Sequence, residues 1–135
     1  MPVEMRFADN RLGVVLRTVG SISSKEFVDT HVAFLEEKRE ALATIRYWYS
    51  DYSEADAFDV TSDDLRRLAD ACVELARVNT IVVVAICAPR RLHFGLSRMW
   101  QFFIDKAGWT TQVFDEQNGA KAWLRKTVQE DLTFE

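Results

Sequence analysis

Residues Thr80–Ala88 read T-I-V-V-V-A-I-C-A, and Pro89 follows at once. Nine residues pass without a charge, and most of them are β-branched or small. A run this short, apolar and bounded reads as a strand covered on both faces, as in a parallel sheet packed by helices. Helical patterns lie on both sides of it, so the chain around it reads as repeated strand–helix units.

Upstream, Leu65, Leu68, Ala69, Cys72, Leu75 and Ala76 recur at helical spacing. They give the cleanest amphipathic pattern in the chain. Thr61 or Ser62 is its expected N-cap, with Asp63 and Asp64 in the first turn, where the helix dipole favours acids. Before it, Thr44–Ser50 (T-I-R-Y-W-Y-S) is expected as a strand on its β-branched and aromatic content, and Asp51–Asp59 as a polar, acidic connection. Ser23 with Glu26 predicts a capping box that opens a helix from Ser24 to about Arg39. Its apolar positions are Phe27, Val28, Val32, Phe34, Leu35 and Leu42, and His31 sits among them. At the start, Val3–Phe7 and Leu12–Val19 flank the turn residues Ala8-Asp9-Asn10-Arg11 and predict an antiparallel hairpin.

Downstream, Pro89-Arg90-Arg91 breaks away from the strand. A helix is expected over about Phe94–Ala107, with Gly108 just past its end. Trp109–Phe114 is the fifth expected strand and Ala120–Val128 the last helix. The tail Gln129–Glu135 is expected to fray. The fold class is therefore α/β: a mixed five-stranded sheet, an antiparallel hairpin followed by parallel strands, with four helices in right-handed strand–helix units.

The totals fit one domain over residues 1–135, long enough to bury a real core. Net charge is −4 and the isoelectric point about 5.2. That balance argues against a general nucleic-acid binder, which needs a basic face. The first residues lack an apolar secretion segment and no run is long enough to span a bilayer, so a cytoplasmic location is the expectation. Cys72 and Cys87 have no metal-ligand spacing around them and read as buried, reduced thiols. No cofactor or metal site is expected: the glycines are scattered singly, and His31 and His93 stand far apart.

In open α/β sheets, ligands gather beyond the carboxyl ends of the strands. Asp51 and Ser53 follow the third strand there, and Arg90, Arg91 and His93 follow the central one; Asp115-Glu116 follows the fifth. Two arginines before a helix N-terminus suit a phosphate or carboxylate. Ser50 or Ser53 with His93 and Asp51 is the hydrolytic set these residues offer, but no Gly-x-Ser-x-Gly elbow accompanies it. Tyr49, Tyr52 and Trp100 are candidates for a partner-facing or ligand-lining aromatic group, because Tyr-Trp-Tyr in series must place large rings on both faces of a sheet. The wide apolar stripe of the Phe94–Ala107 helix suggests a second subunit or another protein against it.

Several segments are similar to one family. Arg46–Ser53 gives a strand ending in Asp-x-Ser. Phe94-Gly95-Leu96-Ser97-Arg98-Met99 opens a helix, and Val113-Phe114-Asp115 is followed by Ala120-Lys121-Ala122-Trp123-Leu124. Together with the element order, these resemble the stand-alone bacterial SpoIIAA-like proteins of the STAS (anti-sigma-factor antagonist) and CRAL-TRIO fold group. The resemblance implies a right-handed strand–helix superhelix with sequentially ordered strands. It also implies a non-enzymatic regulatory module that binds a protein. The alternative of the CRAL-TRIO kind is a domain holding a small apolar or anionic, lipid-like ligand, and a hydrolase is the third reading. In the antagonists, Asp-aliphatic-Ser precedes Asp-Ser-Ser/Thr-Gly at a helix start, where a serine is phosphorylated to break a protein complex. Asp51-Tyr52-Ser53 matches the first part. Asp59-Val60-Thr61-Ser62 matches the second in part, making Ser62 or Thr61 the candidate phosphoacceptor, but Asp63-Asp64 stands where the glycine belongs.

Overall fold

The computed structural model describes residues 2–135. Five strands lie in the order of the chain: β1 (Val3–Ala8), β2 (Gly13–Ser23), β3 (Tyr47–Asp59), β4 (Val83–Cys87) and β5 (Thr110–Phe114). The β1–β2 pair is antiparallel and every other pair is parallel. The hairpin turns through Asp9, Asn10 and Arg11, all with left-handed φ of 51°, 56° and 64°. Asp and Asn tolerate that region better than most residues.

β4 is the strand that the T-I-V-V-V-A-I-C-A run predicts, and it is covered on both faces. Val84 and Ile86 enter one core, and Ala85 and Cys87 enter the other. The helices α1 (Ser24–Glu37), α3 (Ser62–Ala76) and α4 (Arg91–Phe103) connect successive parallel strands and pack as a row, α1 on α3 and α3 on α4. With sequential strand order and crossovers of one hand, connections fall on one face of the sheet. The single-turn helix α2 (Arg39–Leu42) trails α1. The last helix, α5 (Gln117–Val128), is not a crossover and lies against β3, β4 and β5 within the second core.

All six apolar positions read on α3 are buried. Thr61 caps that helix, its hydroxyl accepting from Asp64 N at 3.2 Å. Ser23 caps α1 by accepting from Glu26 N at 3.2 Å. Among the described residues the reciprocal bond of a capping box is absent: Ser23 is the last residue of β2, in register with Asp59, so its backbone belongs to the sheet.

Three further expectations are corrected. Asp51–Asp59 is not a loop: β3 runs on through it, paired with a β2 that also continues past Val19 to Ser23. Register shifts between Arg17 and Val19 and between Gly20 and Ile22 put three residues of β3 against two of β2. Gly20 takes the left-handed φ of 73° that the second irregularity requires. Tyr52, Ala55 and Phe58 are therefore buried at a spacing of three, and the alternation that identifies a strand is lost.

The helix expected over Phe94–Ala107 starts at Arg91 and ends at Phe103, with a 3-10 turn over Asp105–Ala107.

The tail does not fray. Leu132 and Phe134 are buried in the second core. Beyond the left-handed Gln129, the chain straps back across the start of the sheet. The Asp9 carboxylate accepts from Tyr47 OH at 2.6 Å, Thr133 N at 2.8 Å, Thr133 Oγ1 at 2.9 Å and Phe134 N at 3.0 Å. Arg6 donates to the Phe134 carbonyl at 2.7 Å, and Arg125 to the Leu132 carbonyl at 2.9 Å.

Candidate functional site

Because side chains alternate along a strand, β3 sorts the candidate residues onto two sides. Tyr47, Tyr49 and Asp51 face α5 and the tail. Trp48, Ser50 and Tyr52 face α1, α3 and α4. The sheet therefore separates Tyr49 from Tyr52 and Trp100, which do not form one aromatic group.

On the α5 side, Asp51 and Ser53 meet a residue that sequence reasoning missed. Gln117 Nε2, in the first turn of α5, donates to Asp51 Oδ2 and to Ser53 Oγ, both at 2.9 Å. Ser53 N also donates to Asp51 Oδ1 at 3.0 Å. The only signal available was that Gln117 opens the helix after β5, at the rim where Asp51 leaves its pairing with Cys87. Tyr49 OH is buried without a hydrogen-bond partner. Burial, with the Asp51 charge and the Cys87 thiol nearby, pushes its ionisation far up. The same burial holds the Cys87 thiol protonated, pushed up to about 11.

At the edge, Arg90 pairs with Asp56, Nη2 to Oδ1 at 3.2 Å, on the extended part of β3. It occupies the N-cap position of α4 but makes no side-chain cap bond. Arg91, the first residue of α4, is exposed. His93 does not join them: it turns inward and is 3% exposed. Asp51 and Ser53 thus face α5 while His93 lies in the opposite core, and the Ser53–His93–Asp51 set does not assemble. Ser50 does face the His93 side, yet its hydroxyl accepts from Trp48 Nε1 at 3.1 Å.

Ser62 is exposed in the first turn of α3. Thr61 is committed: besides capping, its hydroxyl donates to Asp64 Oδ2 at 2.8 Å. Ser24 donates to the same carboxylate. These hydrogen bonds hold the Asp64 carboxyl below the usual carboxylate range.

The interior between the sheet and α1, α3 and α4 holds a cavity of about 60 Å³. Its wall is aromatic and aliphatic, with Phe27, Trp48, Tyr52, Phe58, Trp100 and Trp109 the large members. The rings interlock: Phe27 meets Phe58 edge-on at 4.6 Å, and Phe58 lies 5.1 Å from His93. Polar groups also line it. His31 Nδ1 is 2.9 Å from the Phe27 carbonyl. A carbonyl only accepts, so that nitrogen carries the proton. Burial pulls the His31 pKa down to about 4, which keeps the ring neutral. Burial also lowers His93, with the Arg90 charge adding to it. The Cys72 thiol, on α3, is pushed up to about 12 by burial.

Among the described residues, four buried side-chain polar atoms have no hydrogen-bond partner: Thr18 Oγ1, Tyr49 OH, His93 Nδ1 and Trp100 Nε1. His93 and Trp100 both line the cavity. No group of three or more His, Cys, Asp or Glu side chains suited to a metal is present among the described residues. No described helix is long and apolar enough to cross a membrane.

No protein-family model matches the chain, and no curated protein matches it. Solved structures do. An uncharacterized DUF3478-family protein with a SpoIIAA-like fold from Shewanella loihica PV-4 aligns with a TM-score of 0.55 at 16% identity, over 90% of this chain and 91% of that one. The anti-sigma factor antagonist SpoIIAA in its unphosphorylated form aligns with a TM-score of 0.58 at 14% identity, over 92% and 96%. The chain is an α/β domain with a mixed sheet. Its fold is SpoIIAA-like, as the order and direction of its strands require.

Proposed function

We propose that this chain is a non-enzymatic regulatory module of the cytoplasm that acts by docking a protein partner on α4. The observation that carries this reading is an apolar stripe left open to solvent among the described residues. Leu92 is 62% exposed, Met99 38% and Phe102 78%. Their spacing of seven and three residues puts them on one side of the helix. Single exposed apolar residues are ordinary, but three in register on one helix suit a partner surface. The likeness to SpoIIAA, an anti-sigma factor antagonist, supports the same class. Trp100, expected to face a partner or line a pocket, is buried and lines the cavity, so the docking residues are its solvent-facing neighbours.

The double variant Leu92→Glu/Phe102→Glu tests this, since both side chains point into solvent and the fold should survive. Tagged wild-type and variant proteins are purified from the source cell and their companions quantified by isotope labelling. A protein retained by the wild type and lost from the variant is the expected result. Light scattering on the same samples separates a foreign partner from a second copy. Identical companions and identical mass for both proteins would end the proposal. Ser62→Asp belongs in the same comparison. A phosphoswitch at this helix start requires it to change partner retention, despite the repulsion that Asp63 and Asp64 impose on a phosphate.

A further inference from the structure

We propose that the cavity beneath α1, α3 and α4 is a binding site for a small, uncharged, largely apolar molecule carrying a hydrogen-bond acceptor for the Trp100 indole N–H. Its volume, about 60 Å³, is several times the roughly 10–15 Å³ that one water needs. Protein interiors seldom leave such space, because each unfilled volume forfeits packing.

Trp100 is 8% exposed and His93 3%, and both belong to the wall. Indole Nε1 is a donor only, and here it finds no acceptor in hydrogen-bond geometry. The Cys72 thiol lies beside it but is a weak acceptor. His93 Nδ1 is likewise without a partner, although the Asp56 backbone engages the same ring. Two orphaned groups on one apolar cavity are costly unless something answers them.

The wall also says what the ligand is not. No Lys, Arg, Asp or Glu among the described residues lines it, and burial disfavours the charged form of both its histidines. A carboxylate, phosphate or ammonium would enter unpaired, at a large desolvation cost. An alcohol, ketone or ether on a compact hydrocarbon body of about two to four carbons suits a volume of about 60 Å³. The arginines at the edge take no part, since Arg90 pairs with Asp56 outside the cavity. The proposal is also independent of the partner surface: α4 offers His93, Ser97 and Trp100 to the cavity and Leu92, Met99 and Phe102 to solvent.

Three small probes test it: isopropanol, propane and acetate, titrated into the full chain while the indole N–H signals are followed by NMR. Trp100→Phe identifies the Trp100 signal by its loss. Isopropanol and propane should both bind saturably, and isopropanol should move the Trp100 signal downfield as its oxygen accepts the proton. Acetate should bind at least about a hundredfold more weakly. In Trp100→Phe the affinity of isopropanol relative to propane should fall roughly three- to tenfold, the worth of one hydrogen bond from a buried donor, while propane still binds. Cys72→Met, which fills the cavity from α3, should abolish binding of both. No saturable binding by either neutral probe, equal binding of acetate, or binding unchanged by Cys72→Met would each overturn the proposal. If Cys72→Met fails to fold, the Trp100→Phe change in relative affinity decides alone.

Discussion

The two faces of this sheet are built to different standards. Against α5 and the tail, Tyr47 gives its hydroxyl to Asp9, Asp9 takes three further donors from the tail, and Phe134 packs edge-on to Tyr47 at 5.6 Å. Against α1, α3 and α4, the same strand β3 contributes Trp48, Ser50 and Tyr52 to a wall around open volume, with two N-bearing rings unanswered. One strand supplies both faces, so composition does not explain the difference. The closed face is completed by the segment that follows α5, which lies across it through Leu132 and Phe134. The open face is roofed by three crossover helices whose positions are fixed by the strands they join. The closed face has its own exception in Tyr49 OH.

The largest effect should come from breaking the closed face. Phe134→Ala removes a side chain that is 4% exposed, and should cost about 3–5 kcal/mol in urea denaturation. A change below about 0.5 kcal/mol would show that the tail is as dispensable as an ordinary frayed end. Gly13→Ala is next. A Cβ at Gly13 would run into the Tyr47 ring, so the ring must move and its bond to Asp9 goes with it. Overpacking of this kind costs about 1–3 kcal/mol. Wild-type stability would mean that Tyr47 is not held where the strap needs it.

Asp9 allows a sharper test by pH. Burial raises its pKa, but the hydrogen bonds from Tyr47, Thr133 and Phe134 outweigh burial and leave it below 3.8. A carboxyl depressed in the folded state contributes stability that is complete above its unfolded pKa. That contribution is lost as pH falls through the folded value. The wild type should therefore lose stability below about pH 4 relative to Asp9→Asn, and the difference should be flat from about pH 5 to 7. Asp29 and Asp64 are also depressed but are common to both proteins, so they cancel. A difference curve without slope below pH 4 would remove Asp9 from the strap.

The smallest effect should be on the open face, with the opposite sign. Cys72→Met adds volume where the cavity can take it, and should leave stability unchanged or raise it by up to about 1 kcal/mol. A loss comparable to that of Gly13→Ala would mean that no room exists there.

How much of this contrast the sequence could reveal depends on the range of the interactions. The β4 run and the α3 stripe were legible because burial on both faces, or on one, writes itself into consecutive residues. The second half of β3 was not, because irregular pairing with β2 moved Tyr52, Ala55 and Phe58 out of alternation. The tail reads as polar; the core that buries Leu132 and Phe134 and the Asp9 carboxylate that holds the strap both come from elements distant in the sequence. Asp51 and Ser53 stand two residues apart on one strand, which the sequence shows, but the Gln117 that joins them and the Asp56 that holds Arg90 required tertiary structure. His93 read as a rim residue because it lies three positions after the Arg90 N-cap. One helical turn suffices to carry it from the edge to the interior. The cavity has no sequence signature, since volume left unfilled is not a property of any residue.

The most direct measurement is a crystal of the protein pressurised with xenon, which enters dry apolar cavities. The account predicts xenon density among Phe27, Trp48, Cys72 and Trp100, and none between the sheet and α5. Density absent from the first place, or present in the second, would contradict it.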